Sequence, residues 1–87
     1  DFDRLAGECT HVIHCASAVR MNLPLEEARR SAVAGTRHAI SFAQTLERAG
    51  RLAKLELVST VGVGGRRPGA LPEQWLVAKR AYHNTYE

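Results

Sequence analysis

Apolar and polar positions follow two rhythms along this chain, one short and one long. From His11 to Cys15 a brief run, apolar at Val12 and Ile13, predicts a strand. From Pro24 to Ala49 the spacing lengthens, and Leu25, Ala28, Ala32, Ala39, Ala43 and Leu46 recur at helical intervals, with Val33, Ile40 and Phe42 widening the stripe. The short rhythm returns at Leu55, Leu57 and Val58, which suit a buried strand. Ser59 and Thr60 close that run before Gly62, Gly64 and Gly65 dissolve it. Strand, long helix, strand predicts a right-handed crossover joining adjacent parallel strands, and so an α/β architecture.

Boundary residues sharpen the elements. Asn22 is suited to cap the helix, Pro24 to its first turn, and Glu26 and Glu27 to its positive amino end. Gly50 is a natural stop, while Gly35 costs helix stability and predicts a close packing contact there. Residues Asp1 to Glu8 read as the tail of an element that began earlier. After the glycines, Arg66 to Pro72 is irregular by its prolines and glycine; Glu73 to Ala78 is expected to make a helical turn, with Trp75 as a loop anchor. At the far end Asn84 and Glu87 have the spacing of a capping box, which places Tyr86 in a first helical turn. With both ends cut in this way, the expectation is an internal fragment of one domain.

Composition narrows the function without naming it. The formal charge of +3 comes from ten arginines and two lysines, scattered in pairs among nine acids. That scatter gives no single basic face, and nucleic-acid binding is not expected. No apolar run approaches the ~20 residues of a membrane span, and no leader pattern precedes the first strand. A cytoplasmic location with reduced thiols is expected. Cys9, His11, His14 and Cys15 invite a metal site, but on a strand His14 faces away from the other three, which are also spread too far for one tetrahedron.

The chemistry worth pursuing sits where the strands end. Ser59 and Thr60 fall at the carboxyl end of the second strand, the place where open α/β sheets bind ligands. They are also residues that commonly satisfy loop backbone groups. Ala16, Ser17 and Ala18 follow the first strand, small enough to admit a ligand or to pack under a helix. Gly62-Val63-Gly64-Gly65 does not make a dinucleotide phosphate loop, because Arg67 stands where the third glycine belongs and Pro68 replaces the helix.

Four stretches, in order, resemble the extended short-chain dehydrogenase/reductase superfamily. His11-Val12-Ile13-His14-Cys15-Ala16-Ser17-Ala18-Val19 is similar to its V-I-H-x-A-A strand end, and Val33-Ala34-Gly35-Thr36 to its N-V-x-G-T helix. Leu57-Val58-Ser59-Thr60 resembles the strand bearing the catalytic hydroxyl, and His83-Asn84-Thr85-Tyr86-Glu87 the start of its Y-x-x-x-K helix. Ser-Thr after the strand and Asn-Thr-Tyr-Glu around the tyrosine are most similar to the thioester-reductase and fatty-acyl reductase ("male sterility") branch. Ala32 departs from the pattern, standing where the family has asparagine. The family's lysine falls four positions past Tyr86, and its glycine-rich loop upstream of Asp1.

The resemblance implies part of a Rossmann-type doubly wound parallel sheet, the central βαβ portion, spanning 1–87 of an NAD(P)-binding domain. It implies an NAD(P)H-dependent reductase of a carbonyl or acyl thioester, with a small-molecule or carrier-bound acyl substrate. Thr60 would donate a hydrogen bond to the carbonyl oxygen and Tyr86 would protonate it. Cys15, Ala16, Ser17, Val58 and Ser59 would wall the cofactor. The alternatives are a sugar-nucleotide epimerase or dehydratase, a hydroxysteroid-type dehydrogenase, or a dinucleotide-binding module without chemistry. The 87 residues alone are expected to bind dinucleotide weakly, to lack activity and to fold marginally.

Overall fold

The computed structural model describes residues 1–75 and 81–87. In chain order it has α1 (Phe2–Glu8), β1 (His11–His14), α2 (Leu25–Ala28), a π-helical segment (Arg29–Ala34), α3 (Gly35–Arg48), β2 (Lys54–Leu57) and a 3₁₀ turn (Val61–Gly64). The two strands pair directly and in parallel, with His11 opposite Lys54 and His14 opposite Leu57. The expected strand–helix–strand unit is therefore present. Its helix runs continuously from Leu25 to Arg48 but switches to π geometry for six residues.

Local chemistry explains most of the boundaries. Glu26 and Glu27 occupy the first turn of α2, and Arg48 the last turn of α3, each complementing the helix dipole. At the end of α3, Gly50 takes φ +66°, its N–H donates to Glu47 O at 2.9 Å, and the Arg51 N–H reaches back to Leu46 O at 2.8 Å. That nested pair is a Schellman stop, and the left-handed φ is why glycine stands there. Asn22 does not cap the helix: Pro24 is the N-cap, and its carbonyl accepts from Glu27 and Ala28 N–H at 3.0 Å each. With φ already fixed near the helical value, proline starts the turn without a side-chain acceptor.

The core is small and lies where α1 and β1 both meet α3. Leu46 is fully buried and Ala43 nearly so; Phe2 meets Phe42 edge-on at 5.4 Å between ring centroids. Val12 and His14 turn half-buried toward the helix, while Ile13 on the opposite face stays exposed. The second strand is not buried as its composition suggested. Leu55 and Leu57 share the face of their partners Val12 and His14, yet they and Val58 are exposed, because among the described residues α3 packs against β1 rather than β2. Gly35 likewise answers no packing need, since a Cβ there would meet nothing within 4 Å.

Beyond β2 the glycines do have a structural cause. A Cβ on Gly64 would lie 2.5 Å from the Leu71 side chain, and one on Gly65 would lie 2.5 Å from Ala81 O. Gly65 also holds φ +63°, ψ −153°, a backbone region essentially reserved for glycine. These close approaches let Arg66 N–H donate to Ala81 O at 2.7 Å and bring the last residues back to the sheet. Trp75 is almost fully exposed among the described residues, not a loop anchor, and Glu73 and Gln74 form a bend rather than a helical turn. The remainder of that expected turn, 76–78, lies outside the described residues.

Candidate active site

The parallel register decides where the site lies. His14 and Leu57 are opposite one another at the strand ends, and Val58 N–H donates to His14 O at 3.0 Å. Residues 15–17 and 58–60 therefore leave the sheet side by side, at its carboxyl edge. Between them opens a cleft of ≈ 300 Å³, at the small end of ligand-site volumes. Cys15, Ala16, Ser17, Val58, Ser59, Thr60 and Tyr86 all line it. The seven residues expected to form the site are thus brought to one place.

Each wall has its own means of support. Ala16 and Ser17 are exposed to the cleft, whereas Ala18 is half-buried and its N–H donates to Ser31 Oγ at 3.2 Å, on the π segment. On the opposite wall Thr60 is the N-cap of the 3₁₀ turn, its Oγ1 accepting from Gly62 N–H at 3.2 Å. An oxygen held by an incoming N–H keeps its own hydroxyl proton to donate, so backbone capping and substrate contact are compatible at Thr60.

Tyr86 arrives from the far end of the sequence on a turn that is well tied down. Thr85 Oγ1 donates to Leu23 O at 3.0 Å and Met21 O at 3.2 Å, securing the turn to the loop before α2. Asn84 Oδ1 accepts from Tyr86 and Glu87 N–H at 3.0 and 3.1 Å, the geometry expected of a helix N-cap. The capping box is otherwise displaced by one residue: Glu87 Oε2 accepts from His83 N–H at 2.7 Å, not from Asn84 N–H. No helical turn surrounds Tyr86, and residues 83–85 form a bend. The His83 backbone N–H, then its ring, hold the Glu87 carboxyl below the usual carboxylate range.

Among the lining residues that the sequence reading did not assign to the site, three carry polar groups. Thr36 and His14 line the cleft and are joined by a hydrogen bond of 3.2 Å between Thr36 Oγ1 and His14 Nε2. The signal for Thr36 was its spacing of four from Ala32, which puts both on one helix face. Glu87 is the third, and its packing against Gly62 has no local signature in the sequence.

The donor set suits the nicotinamide end of a dinucleotide: small side chains on one wall, hydroxyls on the other, and a half-buried phenol between them. No arginine or lysine among the described residues lines the cleft, so a pyrophosphate has no cationic partner there. A ligand cleft at the carboxyl ends of adjacent parallel strands is the hallmark of nucleotide-binding α/β domains. The family model described as Male sterility protein matches residues 1–87, and the chain belongs to that family of NAD-binding domains of the fatty-acyl reductase type. Its fold is accordingly α/β, a partial Rossmann-type sheet, and its cofactor a nicotinamide dinucleotide. No curated protein and no solved structure matches the chain. Among the described residues no helix is long and apolar enough to cross a membrane.

Proposed function

We propose that the protein reduces a carbonyl or acyl thioester with NAD(P)H, using Thr60 and Tyr86 on the substrate oxygen. The observation that carries this reading is the meeting of Thr60 and Tyr86, 26 positions apart, in one cleft with residues 15–17 and 58–59. The dinucleotide supplies the hydride. Thr60, its oxygen fixed by Gly62 N–H, donates to the oxygen as negative charge develops on it. Tyr86 gives that oxygen a proton, and Asn84 fixes the backbone from which the phenol projects. Cys15, Ala16, Ser17, Val58 and Ser59 form the walls against which the cofactor lies. A sugar-nucleotide or steroid substrate would use the same scaffold; the apolar lining at Val19, Val58 and Val63 favours an acyl group.

The test is turnover of the full-length protein with acyl thioesters, aldehydes and nucleotide sugars, followed as NAD(P)H oxidation or epimer formation. Tyr86→Phe and Thr60→Ala are each expected to lower kcat by about 10²–10⁴-fold while leaving cofactor affinity near wild type. Near wild-type turnover by Tyr86→Phe would remove the phenol from the reaction. Activity confined to nucleotide sugars would reassign the substrate.

A further inference from the structure

We infer that Ser31, a residue outside the cleft, is the positioning residue that holds the wall at 15–17 in shape for the cofactor. The inference rests on the reading that this wall receives the nicotinamide end of the dinucleotide, and names what keeps it ordered before the cofactor arrives.

The wall is a span held at its two ends. Within the described residues no hydrogen bond is made by Cys15, Ala16 or Ser17, and all three are exposed to the cleft. Ahead of them the His14 ring meets Thr36 Oγ1 at 3.2 Å, and the His14 carbonyl accepts from Val58 N–H at 3.0 Å. A hydroxyl both donates and accepts, so the ring contact stands with either tautomer. Behind them Ala18 N–H donates to Ser31 Oγ at 3.2 Å, across 13 positions of sequence. Ala18 and Ser31 are both half-buried, where water replaces a lost partner poorly. The next tie along the chain is Met21 O, which accepts from Thr85. Without Ser31 the unsupported run would lengthen from 15–17 to 15–20. Both pins come from one helix, whose far end is seated in the core by Ala43 and Leu46. Positions five apart on an α-helix point about 140° from one another. The π geometry of Arg29–Ala34 adds a residue to the turn and draws Ser31 toward the face of Thr36. The irregular stretch of the helix thus falls where the wall needs its second pin. A wall already ordered loses less freedom on binding than a loose one, and that difference appears as cofactor affinity.

The experiment is fluorescence titration of the full-length protein with NADH and NADPH, alongside amide exchange at residues 16–18. Ser31→Ala removes the acceptor and leaves every cleft-lining side chain as it is. In that variant the Ala18 amide is expected to exchange about 3–10-fold faster, and the Kd of the tighter cofactor to rise by a similar factor, the net effect of one hydrogen bond. Ser31→Thr keeps the hydroxyl and is expected to bind within about twofold of wild type. In wild type, bound cofactor is expected to slow exchange at residues 16–18, a readout that needs no variant. The inference is overturned if Ser31→Ala binds as tightly as wild type, if Ser31→Thr binds as weakly as Ser31→Ala, or if cofactor leaves the wild-type exchange unchanged. It is overturned too if Ser31→Ala raises KM for a carbonyl substrate in step with the cofactor Kd, since a general loosening would do that and a lost pin on one wall would not. Failure of wild type to bind either cofactor overturns the reading of the wall itself. Hydride transfer to hexanal is scored separately; its absence overturns the reductase reading, while binding and exchange judge Ser31.

Discussion

Removing the Thr85 hydroxyl is expected to loosen the half of the cleft that carries Tyr86. One hydroxyl proton is shared between Leu23 O at 3.0 Å and Met21 O at 3.2 Å, over sequence separations of 62 and 64. Thr85→Val keeps the shape of the side chain and deletes the donor. A neutral hydrogen bond contributes about 0.5–1.5 kcal/mol net, and a buried acceptor left alone costs about 1–3 kcal/mol. Met21 is exposed, so water replaces the lost partner there; Leu23 is 6 % exposed, so the penalty falls on one carbonyl rather than two. With one buried carbonyl stranded the cost is about 1–3 kcal/mol, or roughly 5–150-fold in the docked population of the turn. Backbone amide exchange at residues 84–87 of the full-length protein reads that population directly. Thr85→Val should exchange faster by that factor and lose catalytic efficiency in step, while Thr85→Ser, which keeps the hydroxyl, should stay within about twofold of wild type. If Val exchanged no faster than Thr, or Ser as fast as Val, the hydroxyl would not be what holds the turn.

Three further outcomes are expected. Gly65→Ala must abandon φ +63° or press a methyl to 2.5 Å from Ala81 O, costing about 1–3 kcal/mol for the backbone alone, read as a lower Tm and a lower kcat. Leu46→Ala, at the fully buried centre of the small core, should lose about 2–5 kcal/mol in chemical denaturation; a loss under ~1 kcal/mol would mean that the core is held elsewhere. Because the folded Glu87 carboxyl lies below its ordinary value of 4.5, its hold on His83 is complete above that pH and is lost as pH falls through the lower folded value. The His83 amide resonance should therefore titrate with a midpoint below 4.5, and a midpoint above it contradicts the contact.

The order of elements was legible because it is written locally. The apolar run at Val12 and Ile13, helical spacing from Leu25 to Leu46 and the glycine at 50 each act within a few residues. The strand pattern placed Ser59 and Thr60 beside the residues after the first strand, but Tyr86 joined them only through the family resemblance, since the 26 positions from Thr60 to Tyr86 say nothing of distance in space. What failed was set by tertiary contact. Leu55 and Leu57 have buried-strand chemistry, but among the described residues α3 packs on β1 and leaves them exposed. Asn22 is a good cap by type, yet Pro24 already supplies the starting φ and carbonyl. Asn84 and Glu87 have capping-box spacing, but Glu87 turned to His83 N–H and into the cleft instead. The strict need for glycine at 64 and 65 comes from Leu71 and Ala81, which no local window contains.

The π segment has a consequence measured in residue count rather than in side chains. An α-helix advances about 100° per residue, and a π turn absorbs one more residue per turn than an α turn. Arg29–Ala34 therefore works as a phase adjuster between α2 and α3. Ser31 sits inside the adjusted stretch and reaches Ala18 on one wall of the cleft; Thr36, just past it, reaches His14. Deleting one residue of the six would restore α geometry without turning α2, whereas relaxing all six to α geometry at unchanged length would swing α2 by about 100° relative to α3. That rotation takes the Leu23 carbonyl, just ahead of α2, away from Thr85, and so unseats Tyr86 from a position 52 residues downstream of Ala34. The stretch should accept the loss of one residue more readily than the gain of one.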